Sequence, residues 1–565
     1  MIGLADEIRK RGGGERNGDV FLCLLYVAVT YGKELSVREK IPSLIKQSTF
    51  DDKSLLFSIS FLRDHLGEKA SAELMLSFSQ KLSLISSEEV FDLVQYCDGL
   101  NMDCVSTPIQ VTELACRLLR IAPEDTVLDI GSGKGTFLGH AAYTCWKQYG
   151  SCPHAIGQEI NPEFIALSEI RLKLMKVPFE IFKTDVIHNS EVPGFTKAFV
   201  FPVLGYRYGD DAFPSFNKKG QTLFSSRSSS EWMFVFRAIE NLKEANRVVA
   251  LLPAGVLFRE SGSAIRKYLV QNHLLEGIIE LPSGVLGYSG VQMELLVFQK
   301  GSDGVKVFDT KTLMGDKPAR FNDIVIPVDE VFRGYSSDEC PKRSEKEIES
   351  SGYILTVDRL VNGDPQEKIE NPAILGEKAE IIRGCQYTLH NFESQIVAEK
   401  TGYSILTSSD IEDGIIDYSG LKNIVPDSKY DKFALRNGDL VLTSKSSKVK
   451  TAIAEVTNNA KIIVTGGMLI IRPNSSELDA AYLKMFLDSK LGRAILKTIQ
   501  KGAFIVTITG SDLSKITIDC PKIEIQKQMS KRYASLLSTY DGIKKEMHSI
   551  EEQLANFYEE AGKED

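Results

Sequence analysis

The sequence predicts an α/β protein of several domains, and three features carry that prediction. Between Cys104 and about Lys300, strand-like and helix-like stretches alternate, as they do in a doubly wound sheet. Inside that region an apolar strand (Val127, Leu128, Ile130) runs straight into glycines at 131, 133 and 135, and the helix-forming run FLGHAA follows. At the far end a heptad of apolar residues marks a long helix that needs a partner along its seam. A chain of 565 residues has room for about two to four domains, each with its own core.

Taken in order, residues 1–100 read as a helical N-terminal domain. FLCLLYVAVTYG, SLLFSISFLRDHLG, AELMLSFSQKL and EEVFDLVQYC space their apolar residues three and four apart, and nothing in them resembles chemistry. Residues 101–335 hold the alternating strands and helices. Residues 336–372, charged and poor in large apolar side chains, read as a linker. Residues 373–522 change character to short strands and turns closed by the helix AAYLKMFLDSKLGRAILKTI, and residues 523–565 form the long helix. Its seam runs through Met529, Tyr533, Leu536, Tyr540, Ile543, Met547, Ile550, Leu554 and Phe557.

The glycine loop admits three ligands in principle. A phosphate-binding loop needs Lys followed at once by Ser or Thr, whereas Lys134 lies between two glycines, so that reading fails. A dinucleotide loop spaces its glycines by two and then three; here the spacing is two and two, and Asp129 precedes it. The version D-x-G-x-G-x-G resembles the S-adenosylmethionine loop of class I methyltransferases. The next strand ends at Glu159, where an acidic side chain can accept hydrogen bonds from a ribose diol. Lys134 is an uncommon residue in such a loop, and its effect on binding stays open.

A more specific resemblance rests on STPIQVTELACRLL, GQEINPEFIALSEIRLKL and the long run from Arg247 to Leu286. Together with the loop, these stretches resemble the modification subunit of type I restriction systems, the adenine-N6 DNA methyltransferases, from about Leu100 to Leu360. The resemblance implies a class I (Rossmann-like) methyltransferase domain with S-adenosylmethionine as cofactor, held by Thr107, Pro108, Asp129, Gly131, Gly133, Gly135, Glu159 and Asp185. It also implies an Asn-Pro-Pro-Phe/Tyr motif after the strand that follows Asp185. There the amide and a backbone carbonyl accept from the adenine amino group while the aromatic ring stacks on the flipped base.

This chain reads differently at that place. Phe201 stands for the Asn, Pro202 remains, Val203 replaces the second Pro and Leu204 the aromatic, with Gly205 kept. Losing an oriented acceptor costs about 2–4 kcal/mol of transition-state stabilisation, and losing the stacking ring about 1–3 more. Methyl transfer is therefore expected to be lost or weak; a shifted motif, and with it an active adenine-N6 methyltransferase, is the alternative. Tyr206 and Tyr208 offer aromatic faces but no amide. Asn217, Lys218 and Arg227, in the polar loop that follows, are candidate phosphate contacts.

From about Glu380 to Phe557, the order of strands and the L-x-x-G-D-L turn at Leu435–Leu440 resemble one target-recognition domain of a type I specificity subunit. Its clustered Lys445, Ser446, Lys448 and Lys450, and Lys497 and Lys501, are the candidate contacts to double-stranded DNA. In the resembling subunits two long helices pair. With one here, a homodimer through an antiparallel pair of C-terminal helices is expected, with restriction or defence subunits as further partners.

The composition bounds the rest. A net charge of −9 argues against indiscriminate nucleic-acid binding, so DNA contacts must come from local basic patches. No run approaches the roughly 18 apolar residues of a membrane span. The first residues, MIGLADEIRKRGGGERNG, have no long apolar core or small-residue cleavage site, so no secretion signal is expected, and nine cysteines without metal-like spacing suggest reduced thiols in a cytoplasm and no metal site. No Walker-type motor loop or nuclease cluster is present.

Overall fold

The computed structural model describes residues 8, 16–35, 52–82, 85–98, 100, 107–189, 191–206, 208, 223–224, 230–240, 242–287, 289–314, 324–363, 369–386, 395–412, 414–446, 449–456, 460–500, 506–536, 539, 543, 546–547 and 550. They fall into two compact units, Met1–Val361 and Asn362–Asp565.

The first unit is built on a nine-stranded sheet. Its strands are β1 (Thr126–Ile130), β2 (His154–Glu159), β3 (Phe179–Lys183), β4 (Lys197–Val200), β5 (Arg247–Pro253), β6 (Leu275–Glu280), β7 (Met293–Phe298), β8 (Val305–Asp309) and β9 (Lys342–Arg343), ordered β3-β2-β1-β4-β5-β7-β6-β8-β9. β1 pairs in parallel with both β2 and β4, and β7 inserts antiparallel between β5 and β6. The central strands are buried along almost their whole length because helices cover both faces, which is why they read as continuous apolar runs.

Among the described residues, the helices of nine or more residues in this unit are α1 (Asn17–Leu35), α2 (Lys53–Leu66), α3 (Glu68–Leu82), α4 (Ser87–Asp98), α5 (Ile109–Leu119), α6 (Thr136–Tyr149), α7 (Pro162–Leu174), α8 (Ser230–Ile239), α9 (Ser263–Gln271) and α10 (Val328–Ser336). Local chemistry sets their starts. Asp52 caps α2 by accepting from Ser54 N, and Asn161 caps α7 with Pro162 at its first position.

Two sequence boundaries need correction. The helical segment 1–100 shares one continuous core with the sheet domain: Phe21, Leu62, Phe78 and Val94 lie in the same buried cluster as Leu138, Ala142, Leu167 and Ile170. Its apolar stripe needs a surface to cover, and α6 and α7 provide it. Residues 336–361 are not a linker either. β9 pairs with β8, and Tyr353, Leu355 and Val357 join the core on the sheet's other face.

In the second unit, strands Ala379–Arg383, Met468–Pro473, Leu440–Thr443 and Thr451–Ile453 form one four-stranded sheet. Ile396–Val397, Lys422–Ile424, Tyr403–Leu406 and Lys461–Val464 form another. Helices Ala480–Asp488 and Lys490–Thr498 complete the core. Helical residues 523–536 leave this unit from an anchor at Gln526, whose buried side chain bonds Glu477 O, Pro521 O and Asp479 N.

Candidate functional site

Strand order reverses between β1 and β4, and in open α/β sheets the crevice at the carboxyl end of such a switch point is where ligands bind. The glycine loop leaves β1 there. Gly131, Gly133 and Gly135 all adopt positive φ (78°, 52° and 73°), open to glycine at little cost. Gly135 is also a close approach, since a Cβ there would lie 2.3 Å from Ser168 Oγ. The amides of Gly131 and Ser132 both donate to Gln158 O, at 2.9 and 3.0 Å, Gly135 N donates to Ser132 O, and Gly133 N donates to Glu159 Oε2 at 2.9 Å. Four amides are thus already engaged, which is the reverse of a phosphate cradle.

Acids dominate instead. Asp129 is 4% exposed, and among the described residues no hydrogen-bond donor serves its carboxylate. Burial, with the Glu159 carboxylate nearby, pushes its acid well above the ordinary range. Glu159 takes Gly133 N on one oxygen and the amides of Ile160 and Asn161 on the other (2.9 and 2.8 Å), leaving acceptor capacity on Oε2. Asp185 lies two residues beyond β3. Burial works against its charged form, but the His188 ring at 2.8 Å and the Ile187 amide outweigh that and hold the acid below its usual range. Thr107 is buried and Pro108 half-buried at the start of α5.

The segment after β4 flanks the other side of the switch point. A Cβ on Gly131 would meet Phe234 Cε1 at 3.4 Å and Phe201 O at 3.9 Å, so the glycine loop and the Phe201 turn face each other. Phe201 and Leu204 are half-buried against the core, Pro202 is buried and Val203 is 61% exposed. α8 fixes this turn from behind: Ser230 Oγ donates to Val203 O at 3.1 Å, and Glu231 Oε1 accepts from Gly205 N at 2.9 Å. Glu231 is fully buried, and its other oxygen has no partner among the described residues. Tyr206 and Tyr208 meet edge to face with centroids 4.8 Å apart, and burial, then Asp185 and Tyr206, push the Tyr208 phenol up to about 12.

Residues 98–369 match the N-6 DNA methylase family. This stretch is similar to that family, and it covers the sheet and both loops. The type I restriction enzyme MpnII methylase subunit of Mycoplasma pneumoniae is 22% identical over 325 residues, covering 52% of this chain and 59% of its own. The EcoKI methylase subunit of Escherichia coli is 25% identical over 241 residues, covering 37% and 44%. The chain thus spans about half the length of the curated relatives it matches. The type I methyltransferase subunit of Streptococcus thermophilus shares the fold with a TM-score of 0.51 at 17% identity, covering 63% of this chain and 97% of that one.

Within residues 98–369 and the helices packed on them, sequence reasoning missed Glu231, which carries no motif signature, and the partner of Lys134, Asp19, which lies far away in sequence. In the second unit the expected DNA contacts are unevenly placed. Lys445 is exposed on the short strand Lys445–Ser446, which pairs with Val506–Thr507. Lys497 is exposed in the last turn of helix Lys490–Thr498, with Arg493 one turn before it and Gln500 just beyond; all three line a cavity of about 220 Å³ with Thr451 and Asp488. Lys450 corrects the expectation: its ammonium donates to Ser408 O and Ile411 O, at 3.2 and 2.7 Å, and so braces the fold. Lys448, Lys501, Asn217, Lys218 and Arg227 lie outside the described residues, as do Tyr540, Leu554 and Phe557 of the seam.

Proposed function

We propose that this protein is a sequence-specific DNA-binding member of the type I adenine-N6 methyltransferases that keeps a S-adenosylmethionine site and has lost most or all methyl transfer. The observation that carries the cofactor half is the donor-poor Asp129 carboxylate beside the spare acceptor capacity of Glu159. A loop with engaged amides and acceptors to offer fits a ligand that donates hydrogen bonds and carries positive charge. Glu159 would take the ribose hydroxyls, Asp129 would face the cationic donor groups, and the turns at Gly131, Gly133 and Gly135 keep side chains out of its way. When bound, the cofactor supplies an electrophilic methyl group on sulfur.

The half-buried Phe201 and Leu204 support the silent reading. The ring at 201 offers no acceptor for an amino group, and the aliphatic side chain at 204 offers no plane to stack on a base. Tyr206 is 54% exposed and can supply a plane, but the oriented amide has no replacement among the described residues of this turn.

The second unit would act as a target-recognition domain, with Lys445 and Lys497 neutralising phosphates and polar neighbours reading base edges. The helix that leaves it presents Met529, Leu536, Ile543, Met547 and Ile550, each more than 40% exposed, and a second copy of this helix is the proposed cover. Restriction or defence subunits as partners, and a cytoplasmic location, belong to the same reading. Calorimetry tests the cofactor half. Wild-type protein should bind S-adenosylmethionine saturably and Asp129→Ala should not; absence of heat with the wild type overturns it. Gel shifts at rising salt test the DNA half, with an affinity that falls as salt rises for the wild type and falls less steeply for Lys497→Ala.

A further inference from the structure

The residue that stands out in the glycine loop, Lys134, does not face the crevice with its charge. Its ammonium lies 2.7 Å from Asp19 Oδ2 on α1, and the two side chains are 3% and 2% exposed. Its backbone carbonyl is held as well, by Arg171 Nε of α7 at 3.1 Å. The same Arg171 forks onto Asp98 at the end of α4, at 2.9 and 2.7 Å, and Thr136 Oγ1, two residues past Lys134, also reaches Asp98. Side chains from α1 and α4 therefore converge on residues 134–136. Gly139 completes the fit, because a Cβ there would lie 2.7 Å from Arg171 Cδ.

Buried ion pairs add little net stability against apolar alternatives, but removing one partner strands a buried charge, so each pair holds its members in one geometry. Both pairs act on the segment whose backbone turns form the cofactor loop. We propose that Asp19 and Asp98 are positioning residues of the cofactor site, so that docking of the α1–α4 layer and occupancy of the glycine loop are one linked equilibrium; this rests on the cofactor reading above. Linkage is reciprocal: whatever loosens the layer weakens the cofactor, and the cofactor tightens the layer by the same factor.

The full-length chain tests this in two arms. Hydrogen exchange should show amides 131–136 and the α1–α4 layer exchanging faster in Asp19→Asn than in the wild type, while β5, β6 and β7 keep their protection. Calorimetry with S-adenosylhomocysteine should show affinity about tenfold weaker in Asp19→Asn. If that variant fails to fold, Arg171→Lys carries the test: it keeps the charge but cannot serve Lys134 O and both Asp98 oxygens together. Lys147→Ala is the control. It removes a half-exposed contact from α6 to Glu88 and Asp92 on α4, away from the loop, and should change neither readout. Unchanged loop exchange in a folded Asp19→Asn or Arg171→Lys overturns the proposal, as does an equal response to Lys147→Ala. A wild-type chain that binds no cofactor refutes the cofactor reading, and the exchange arm still decides the positioning role.

Discussion

Asp129 holds a carboxyl group where water is nearly excluded and where a second acid stands close by. Its folded value lies above the ordinary 3.8, so the folded chain keeps the proton more tightly than the unfolded one. Stability then falls as pH rises through the window between those two values, and the penalty is complete above it. Asp129→Asn should raise Tm at pH 7, with the gain shrinking towards pH 4, while cofactor binding disappears. Differential scanning calorimetry at the two pH values decides, and an unchanged or lowered Tm at pH 7 contradicts the burial argument. His140 has the opposite sign. Burial lowers it from 6.5 to about 4, so the unfolded chain binds the extra proton and stability is lost as pH falls from 6.5 towards 4. His140→Gln should flatten that part of the Tm profile. The turn from Asp129 through the three glycines was legible in the sequence because it depends on spacing along one loop, and all three glycines adopt positive φ there. Asp19 was not: it meets Lys134 across 115 residues, and no local pattern encodes that meeting.

Elements were legible where burial leaves a periodic or continuous trace. β1 and β5 announce themselves as apolar runs, and Asn161-Pro162 announces a helix start. β9 did not, since two residues in a charged stretch have no period to read. Nor could the sequence tell that the apolar stripes of α1–α4 would be covered by α6 and α7, because a stripe specifies that it must be covered and not by what. Gly135 shows what the packing of α7 on the loop demands. Gly135→Ala combines a φ of 73° with a Cβ 2.3 Å from Ser168 Oγ, and should cost about 1–3 kcal/mol from the backbone alone. Gly135→Ala with Ser168→Ala should recover only the part of the lost Tm that comes from the clash; full recovery would show that backbone conformation there is unimportant. The turn after β4 makes the converse test. Phe201→Asn with Val203→Pro and Leu204→Phe restores the groups that orient and stack an adenine, and should raise methyl incorporation into DNA by at least about a hundredfold over the wild type. No gain would show that these positions do not limit the reaction.

At the scale of the whole molecule, the two units divide the proposed work, a cofactor site in one and a DNA-reading surface and pairing helix in the other. The helical start of this segment, residues 523–536, was legible because its apolar period is local. Its partner was not, because an apolar seam is the same whether a second copy or another protein covers it. Leu536 and Ile543, 62% and 54% exposed, are the positions at which charge would break a pair of such helices. The wild type should elute in light scattering near twice its chain mass, and Leu536→Glu with Ile543→Glu near once; a monomeric wild type at micromolar concentration removes the dimer. The domain match and the shared fold speak for a methylase frame, and the account rests on that frame having kept its cofactor while its reactive turn fell silent. Transfer of tritium from labelled S-adenosylmethionine to mixed-sequence duplex DNA, at a cofactor concentration shown by calorimetry to saturate the protein, tests this most directly. The account predicts saturated protein with label in DNA at background; label accumulating with turnover, and abolished by Asp129→Ala, would contradict it.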